Sequence, residues 1–277
     1  MSEFTGPEVA LGVDSLFGSG WGAGAFFRYS DKELELSSRR SEANVRSFNF
    51  GAYGTKSVDA GDGSLRFTLG GIYGYHDIRT ERHVKFSSTI ADVDEEVQSG
   101  HTAHTLSAFT EVAWAVPVME KLWLEPFANI AYTNTYTGSA RETGGDMTEL
   151  RVSSATQDNV DTRLGLRAAV PFAEWGKASA ELGWQHAFGE NTPKVGIGFK
   201  NGGNSYPIKG SKIARDAATI GLAFSASLSE SVSLDLHLRR RAWRKQPISH
   251  RAVAIQLSLL KRRSVGQEQE KSHFCDG

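Results

Sequence analysis

Residues 122–132 read Leu-Trp-Leu-Glu-Pro-Phe-Ala-Asn-Ile-Ala-Tyr. Every second residue from Leu122 to Tyr132 is apolar or aromatic, and the residues between them include Glu125 and Asn129. Side chains on a β-strand point alternately to its two faces, so this stretch predicts a strand with one apolar face and one polar face. At about ten residues it is longer than the ~5–6 residues usual in soluble sheets.

The same alternation continues on both sides of this stretch, in residues 21–30, 65–74, 163–170 and 178–185. No comparable stretch has the spacing of an amphipathic helix. Apolar runs are also too short for a transmembrane helix, which needs about 18 or more consecutive apolar residues. The sequence therefore predicts an all-β fold.

Short and long connections alternate between the predicted strands, and both kinds are polar or glycine-rich. The short ones are 15–20, 59–63, 120–121, 175–176 and 229–231, and the long ones are 37–45, 84–100, 136–156 and 190–193. An up-and-down antiparallel meander with tight turns at one end and long loops at the other has this pattern, as outer-membrane barrels do. We therefore predict an antiparallel outer-membrane β-barrel.

The polar faces of the predicted strands carry many charged or amide side chains. They are Arg28, Arg66, Glu111, Glu125, Arg163, Arg167, Glu181 and Gln185. Burying so many charges in the core of a soluble β-sandwich is costly unless each is paired, whereas a wet barrel lumen lets them pair across the bore. A soluble β-sandwich, or an open sheet with solvated polar faces, is the structural alternative.

Aromatic residues near the ends of the predicted strands fit the interfacial girdles of such a barrel. They are Trp21, Tyr29, Tyr75, Trp114, Tyr132, Trp184 and Phe188.

Several segments resemble the translocator domain of autotransporters, over roughly residues 7–236. Residues 122–132 resemble its central strand, and 162–167, 181–189 and 215–222 resemble other strands in the same order and spacing. The Glu-Pro-Phe of residues 125–127 is the most specific of these features.

The resemblance implies a 12-stranded barrel in the outer membrane of a Gram-negative bacterium, which helps a passenger domain cross by type V secretion. It also implies three partners: the lipid bilayer, the barrel-assembly machinery, and a linker helix that tethers the passenger. Two departures stand out. The sequence has no counterpart of the family's first strand or pore helix, and it does not end in the aromatic residue that finishes family barrels. We therefore expect about 11 strands, and no secretory signal is recognised at the start of the chain.

The charge of the chain divides it at residue 238. Residues 239–277 contain 10 lysines and arginines against 3 acidic residues, whereas the whole chain has 31 basic and 32 acidic residues. The alternation is lost at Arg239, in the run 239–245. We predict a barrel over 1–238 and a basic tail over 239–277, whose final strands are degraded or frame-shifted near His237. A basic arm for nucleic acid is the alternative, but nothing else in the sequence supports a nucleic-acid partner.

The candidate functional residues are five charges expected to line the lumen: Glu111, Glu125, Arg163, Arg167 and Glu181. They either line the passage and contact the linker helix, or form cross-strand ion pairs that hold the strands in register. A charge swap between Arg163 and Glu125 is expected to separate the two roles.

The sequence contains no motif that predicts an enzyme, a metal site or a cofactor. A nucleophile elbow in a strand-to-helix context is absent, and Cys275 is the only cysteine. His101 and His104 lack a matched third metal ligand, and Asp92–Glu96 lacks the spacing of an EF-hand calcium loop. His76 and His83 suggest a hydrolase at the barrel mouth only as a weak alternative.

We therefore predict an outer-membrane translocator barrel that is a passenger-less remnant with little or no secretion activity. The reason is that eleven strands cannot close with the same hydrogen-bond ladder as twelve, and an open edge is not tolerated in lipid. A stand-alone porin or adhesin-like barrel is the main alternative.

Overall fold

The fold is known from a computed structural model. It describes residues 4–36, 41–87, 89, 92–173, 175–189, 192–200, 202–210, 214–229, 232–242 and 251–260. Almost all of these residues are in β-strands. In chain order the strands are β1 Phe4–Thr5, β2 Glu8–Phe17, β3 Trp21–Leu36, β4 Ser41–Ala60, β5 Gly63–Ser87, β6 Asp92–Met119, β7 Leu122–Thr137, β8 Ala140–Arg141, β9 Leu150–Val152, β10 Ala155–Ala173, β11 Gly176–Phe188, β12 Lys194–Phe199, β13 Gly202–Lys209, β14 Asp216–Ser229, β15 Val232–Ala242 and β16 Arg251–Leu260. One 3₁₀ turn, Gly18–Gly20, joins β2 to β3.

Eleven of these strands pair in a ring, which confirms the predicted all-β barrel class and its strand count. The order around the ring is β3, β2, β16, β15, β14, β11, β10, β7, β6, β5 and β4, and β4 pairs again with β3. The two-residue strand β1 also pairs with β3. Gly6 and Pro7 separate it from β2, which pairs with the next part of β3. A Cβ on Gly6 would lie 1.9 Å from the Asp31 carbonyl oxygen, so the close approach requires glycine here.

The ring closes by a parallel pair, whereas all its other ladders are antiparallel. β16 runs beside β2 in the same direction, from Gln256 opposite Ala10 to Leu260 opposite Asp14. An odd number of strands in up-and-down order brings the first and last strands together in the same direction, so a parallel ladder is the one available. The ladder therefore does differ from that of an even-numbered barrel. The strand count predicted an open edge between the first and last strands. That prediction is wrong, because β2 and β16 pair.

The two faces of the barrel wall have the predicted polarity. Leu69, Leu106 and Leu182 are between 61% and 67% exposed on the outer face. Their neighbours along each strand point inward and are more buried, Glu181 being 9% exposed. The apolar side chains therefore face outward and the charged ones face the lumen, as in membrane barrels and unlike a soluble sandwich.

The connections at the two ends of the barrel differ in length, as predicted. Strand pairs β4–β5, β6–β7, β10–β11 and β14–β15 are each separated by two residues. At the other end, however, most of the predicted loop 84–100 is strand, because β5 has 25 residues and β6 has 28. Charged residues occupy both faces of this extension, so the apolar alternation that would have revealed it is missing.

A second, four-stranded sheet lies at the long-loop end, in the order β13, β12, β9 and β8. It combines the connection between β7 and β10 with the connection between β11 and β14. β8 and β9 fall in the predicted loop 136–156, and no element was predicted for 194–209, so this sheet was not expected.

The predicted boundary at residue 238 lies within β15, which pairs with β14 as far as Ala242. β16 lies within the predicted tail 239–277 and pairs with β15. Residues 243–250 and 261–277 lie outside the described residues. Within the described part of the chain, no helix is long and apolar enough to cross a bilayer.

Candidate functional site in the barrel lumen

The five charged residues predicted to line the lumen lie on four neighbouring strands. Glu111 lies on β6, Glu125 on β7, Arg163 and Arg167 on β10, and Glu181 on β11. The register places Glu125, Arg167 and Glu181 directly opposite one another in one row. Arg163 lies four residues along β10 on the same face, in a row with Glu111. All five side chains therefore converge on one patch of the lumen wall.

Arg167 is the centre of this patch, and its guanidinium bonds three carboxylates from three different strands. Its Nη1 lies 2.8 Å from Glu111 Oε1 and 2.7 Å from Glu125 Oε1. Its Nε lies 3.0 Å from Glu181 Oε2, and its Nη2 donates a second hydrogen bond to Glu111. Charge-assisted, forked hydrogen bonds of this kind fix direction as well as distance. Arg167 therefore ties β10 to β6, β7 and β11 at one point.

Two further arginines complete the cluster. Arg163 lies 3.8 Å from Glu111 and 3.6 Å from Glu181, measured between charged nitrogen and oxygen. Arg66 on β5 donates to the second oxygen of Glu125 at 2.7 Å. The alternation had placed Arg66 on the polar face, but it was not among the predicted site residues. We call Arg66, Glu111, Glu125, Arg163, Arg167 and Glu181 the lumen cluster.

The cluster lies on an aromatic platform. The guanidinium carbon of Arg167 lies 3.8 Å from the centre of the Phe127 ring, and that of Arg163 lies 5.3 Å away. On the neighbouring strand the ring covers Gly165, where a Cβ would meet it at 2.6 Å. Phe127 is only 5% exposed. The glycine thus makes room for the ring, and the ring supports both arginines by cation–π contact.

The lumen cluster has three carboxylates and three guanidiniums, so its formal charge is zero. Pairing of this density compensates the cost of removing the charges from bulk water. The arrangement can hold four strands in register and can present charged groups to a polypeptide in the lumen.

The pairing differs from the predicted one in one respect. The predicted charge swap joins Arg163 and Glu125, whereas the register places Arg167 opposite Glu125. Glu125 bonds Arg167 and Arg66, whereas Arg163 lies closest to Glu111 and Glu181. The informative swap is therefore between Arg167 and Glu125.

The opposite wall of the lumen, formed by β2 to β5, is built from glycine and aromatic residues. The Phe26 ring covers Gly51, where a Cβ would lie 2.3 Å from it, and the Tyr53 ring covers Gly24 at 2.6 Å. On this wall Glu8 pairs with Arg28 at 3.6 Å and with Lys32 at 3.0 Å, and Arg66 on β5 reaches the lumen cluster. Sequence alternation predicted the inward direction of Gly24 and Phe26, but it made no prediction for Gly51 and Tyr53 or for the interlocking.

His76 and His83, considered for a hydrolase site, lie apart. His76 faces the lumen, and its two ring nitrogens lie 2.9 Å from the Ser47 hydroxyl and 3.1 Å from the Thr105 hydroxyl. His83 is seven residues further along β5, so it lies on the opposite face, 2.6 Å from Asp94. The two histidines therefore do not form one site at the barrel mouth.

The other weak candidates are also separated by strand alternation. His101 and His104 are three residues apart on β6 and point to opposite faces. Asp94 of the acidic segment pairs with His83 and Lys85 on the outer face. No group of three His, Cys, Asp or Glu side chains in the described residues is arranged to hold a metal ion.

An aromatic belt surrounds part of the outer face near the long-loop end. Ring centroids are 5.3 Å apart for Tyr29 and Phe48, 6.4 Å for Phe48 and Tyr75, and 5.5 Å for Tyr75 and His104. Tyr73 also bonds His104, with its hydroxyl 2.8 Å from Nδ1. Aromatic rings with polar tips favour the interface between lipid and water. The aromatic belt therefore marks one boundary of the membrane.

An apolar outer face, an aromatic belt, a charged lumen and a ring of long antiparallel strands together define an outer-membrane β-barrel. Comparison with known families then identifies the kind of barrel. The family model of the autotransporter beta-domain matches residues 4–239, so the chain belongs to that family.

Known proteins similar to this chain agree with that assignment. Two curated proteins, each an extracellular serine protease of Serratia marcescens, are 32% identical to it over 234 residues and cover 82% of this chain. The chain spans about a fifth of their length, 21% in each case.

Solved structures support the fold. The translocator domain of the autotransporter NalP from Neisseria meningitidis superposes with a TM-score of 0.62 and 17% identity, covering 88% of this chain and 76% of that one. The beta domain of the Bordetella autotransporter BrkA gives 0.52 and 15%, covering 87% and 82%. The protein is accordingly an outer-membrane translocator barrel of type V secretion, embedded in the lipid bilayer.

Proposed function

We propose that the lumen cluster has two roles in export. It holds β6, β7, β10 and β11 in register, and it lines the passage that an exported polypeptide segment occupies. The observation that supports both roles is the geometry of Arg167, which bonds Glu111, Glu125 and Glu181 while facing the lumen. A neutral cluster also suits a polar segment, because it presents both signs of charge without a strong net field.

The proposed partner in the lumen is a linker helix that precedes the barrel in a longer protein and tethers a passenger. The Serratia relatives support this, because the chain matches 21% of their length. Insertion by the barrel-assembly machinery is part of the same proposal.

A surface-display experiment tests the lumen cluster. The chain is joined behind a signal peptide, an epitope tag and the residues that precede the match in the Serratia relative, and tag exposure is measured by protease shaving of whole cells. Arg167→Met is compared with Arg28→Met, a lumen arginine whose one ion pair in the described part of the chain is with Glu8 at 3.6 Å. Barrel assembly is scored separately by heat-modifiable migration on gels.

We expect Arg167→Met to reduce both assembly and export, and Arg28→Met to change neither. The double variant Glu125→Arg with Arg167→Glu then separates the roles. Recovered assembly with export still reduced supports contact with the exported segment. Normal export in every assembled variant would contradict the lining role, and normal assembly of Arg167→Met would contradict the register role.

We also propose that this barrel has no catalytic activity of its own, and that any protease activity belongs to the rest of the Serratia proteins. His76 supports this, since Ser47 and Thr105 bond both of its ring nitrogens and no carboxylate among its described neighbours orients it. We expect vesicles that contain the barrel to hydrolyse esters and peptides no faster than empty vesicles. His76→Ala should leave that rate unchanged.

The division of the chain at residue 238 remains a proposal. The change in charge sign from Arg239 onward supports the division, although β15 continues to Ala242. Reading the nucleotide sequence of the locus from codon 236 onward tests it. A second frame that completes the last strands with a terminal aromatic residue is expected, and its absence would make the basic tail a native segment.

A further inference from the structure

The β5–β6 hairpin continues well beyond the aromatic belt at the long-loop end, which is the extracellular end in outer-membrane barrels. β5 continues to Ser87 and β6 begins at Asp92, whereas their belt residues are Tyr75 and His104. The inward face of each strand continues along this extension. Arg82 and Val97 are directly opposite on that face, and Glu95 follows two residues from Val97. Val97 is 1% exposed, so something covers this continued lumen face.

The covering segment comes from the connection between β7 and β10. It first runs along the free edge of β6, where Gln98 and Thr143 exchange two backbone hydrogen bonds of 2.9 Å each. It then turns onto the inward face at Gly144, which has a φ of 108° and lies against the Glu96 carbonyl. We call residues 144–149 the strap.

The Glu95 carboxylate on β6 binds the strap through four hydrogen bonds. It accepts backbone hydrogen bonds from Asp146 and Met147 at 3.2 Å each and from Thr148 at 3.0 Å. The Thr148 hydroxyl donates a fourth bond at 2.6 Å. The bond from this hydroxyl, followed by those from the backbone amides, lowers the pKa of Glu95. The carboxylate therefore stays ionised at neutral pH and keeps all four donors bound.

A second contact holds the two ends of the strap. Arg82 donates to both carboxylate oxygens of Glu142, at 3.2 and 2.6 Å, and to the Thr148 carbonyl at 3.0 Å. Glu142 also accepts the backbone N–H of Leu150 at 2.9 Å. At the far side, Lys200 bonds Glu149 through both backbone and side chain, which links the strap to the second sheet.

We propose that the strap closes the extracellular mouth of the lumen when no exported segment occupies it, with Glu95 and Arg82 as the latch. The strap lies on the lumen side of a hairpin that rises above the mouth. Lys200 joins it to the second sheet, whose β12 and β13 come from the connection between β11 and β14, three and four strands around the ring from β6. This inference depends on the proposed function only in that the lumen is the passage the strap guards.

The test measures ion conductance of the full chain refolded into planar bilayers, without any passenger. Glu95→Gln removes the charge that holds four donors. Glu96→Gln is the matched control. It removes the same charge from the neighbouring residue, whose side chain is exposed on the outer face and does not contact the strap. We expect several-fold more time in conducting states for Glu95→Gln, and a profile like that of the unmodified chain for Glu96→Gln.

A disulfide trap distinguishes an open strap from a damaged barrel. A Cβ on Gly145 would lie 2.9 Å from a Val97 methyl carbon, which is close to the spacing of Cβ and the partner sulfur in a disulfide. Val97→Cys and Gly145→Cys are therefore combined with Glu95→Gln, on a Cys275→Ser background that removes the only native cysteine. Oxidation is expected to restore low conductance, and reduction to raise it again.

Limited trypsin cleavage provides an independent measure of strap release, since Arg141 and Arg151 flank the segment and are exposed. Faster cleavage with unchanged conductance would overturn the proposal, because the strap would then be released without opening the mouth. Unchanged cleavage and conductance in Glu95→Gln would overturn the latch. Equal conductance of the oxidised and reduced double-cysteine variant would overturn the closing role of the strap. None of these results depends on export, so a failure of the proposed function is recognised separately in the display assay.

Discussion

The two walls of the lumen differ in the side chains that fill their inward faces. One wall, formed by β6, β7, β10 and β11, carries the lumen cluster apart from Arg66, which β5 contributes, and one arginine bonds glutamates of three strands. The other, β2 to β5, fills its inward face with rings that cover glycines, as Phe26 covers Gly51. A charge network fixes direction, whereas ring-on-glycine packing depends only on shape. The two walls should therefore respond differently to substitution.

Reversing the central charge should have the largest effect. Arg167→Glu places a fourth carboxylate among Glu111, Glu125 and Glu181, so we expect a loss of stability above the ~3–5 kcal/mol typical of breaking a buried ion pair. Adding Glu125→Arg restores one opposite pair in the same register row and should recover part of the loss. Urea unfolding of vesicle-embedded protein, followed by tryptophan fluorescence, measures this. A double variant no better than the single one would contradict direct pairing.

Neutral removal of an arginine compares the walls directly. Arg167→Met leaves three glutamates without their main partner and should cost about 3 kcal/mol. Arg28→Met, on the other wall, removes one exposed pair and should cost less than ~1 kcal/mol. The same unfolding assay applies to both. Equal losses would mean that the lumen cluster is too hydrated to act as a buried network.

How much of this site the sequence could predict depends on the length of the connections. Arg167 and Glu181 lie on strands joined by a two-residue turn, which fixes their register closely. β7 and β10 are instead joined by the long connection that contains β8 and β9, and its length allows several registers. The five inward charges were therefore predictable from alternation, but the choice of Arg167 over Arg163 as the partner of Glu125 was not.

The fold shows the same limit at its extracellular end. Alternation predicted the membrane part of β5 over 65–74 because lipid requires an apolar outer face, whereas in β6 it identified only the inward Glu111. Above the aromatic belt both faces meet water or other protein, so Arg82 and Glu95 alternate with charged neighbours and the pattern vanishes. The strap and the second sheet depend on contacts distant in sequence, such as that of Glu95 with Thr148.

Adding one methyl group tests the shape-dependent wall. Gly51→Ala places a Cβ 2.3 Å from the Phe26 ring, which must move, so we expect a loss of about 1–2 kcal/mol. Gly54→Ala is the control on the same strand, since its nearest atom is 4.0 Å away, and it should change stability by less than ~1 kcal/mol. Combining Gly51→Ala with Phe26→Ala should cost less than the sum of the two, and exact additivity would argue against the interlock.

The smallest expected effect comes from a polar group that neither kind of wall satisfies. Thr219 on β14 is 1% exposed, and its hydroxyl has no hydrogen-bond partner among the side chains the structure describes. It lies beside Gly183, where a Cβ would meet that hydroxyl at 2.7 Å. Thr219→Val keeps the shape and removes a buried oxygen that gains no bond in the folded state. We therefore expect a change within ~0.5 kcal/mol, or a slight gain, in the unfolding assay. A loss well above that would mean that the hydroxyl has a partner, such as a lumen water, and that the charged wall extends to β14.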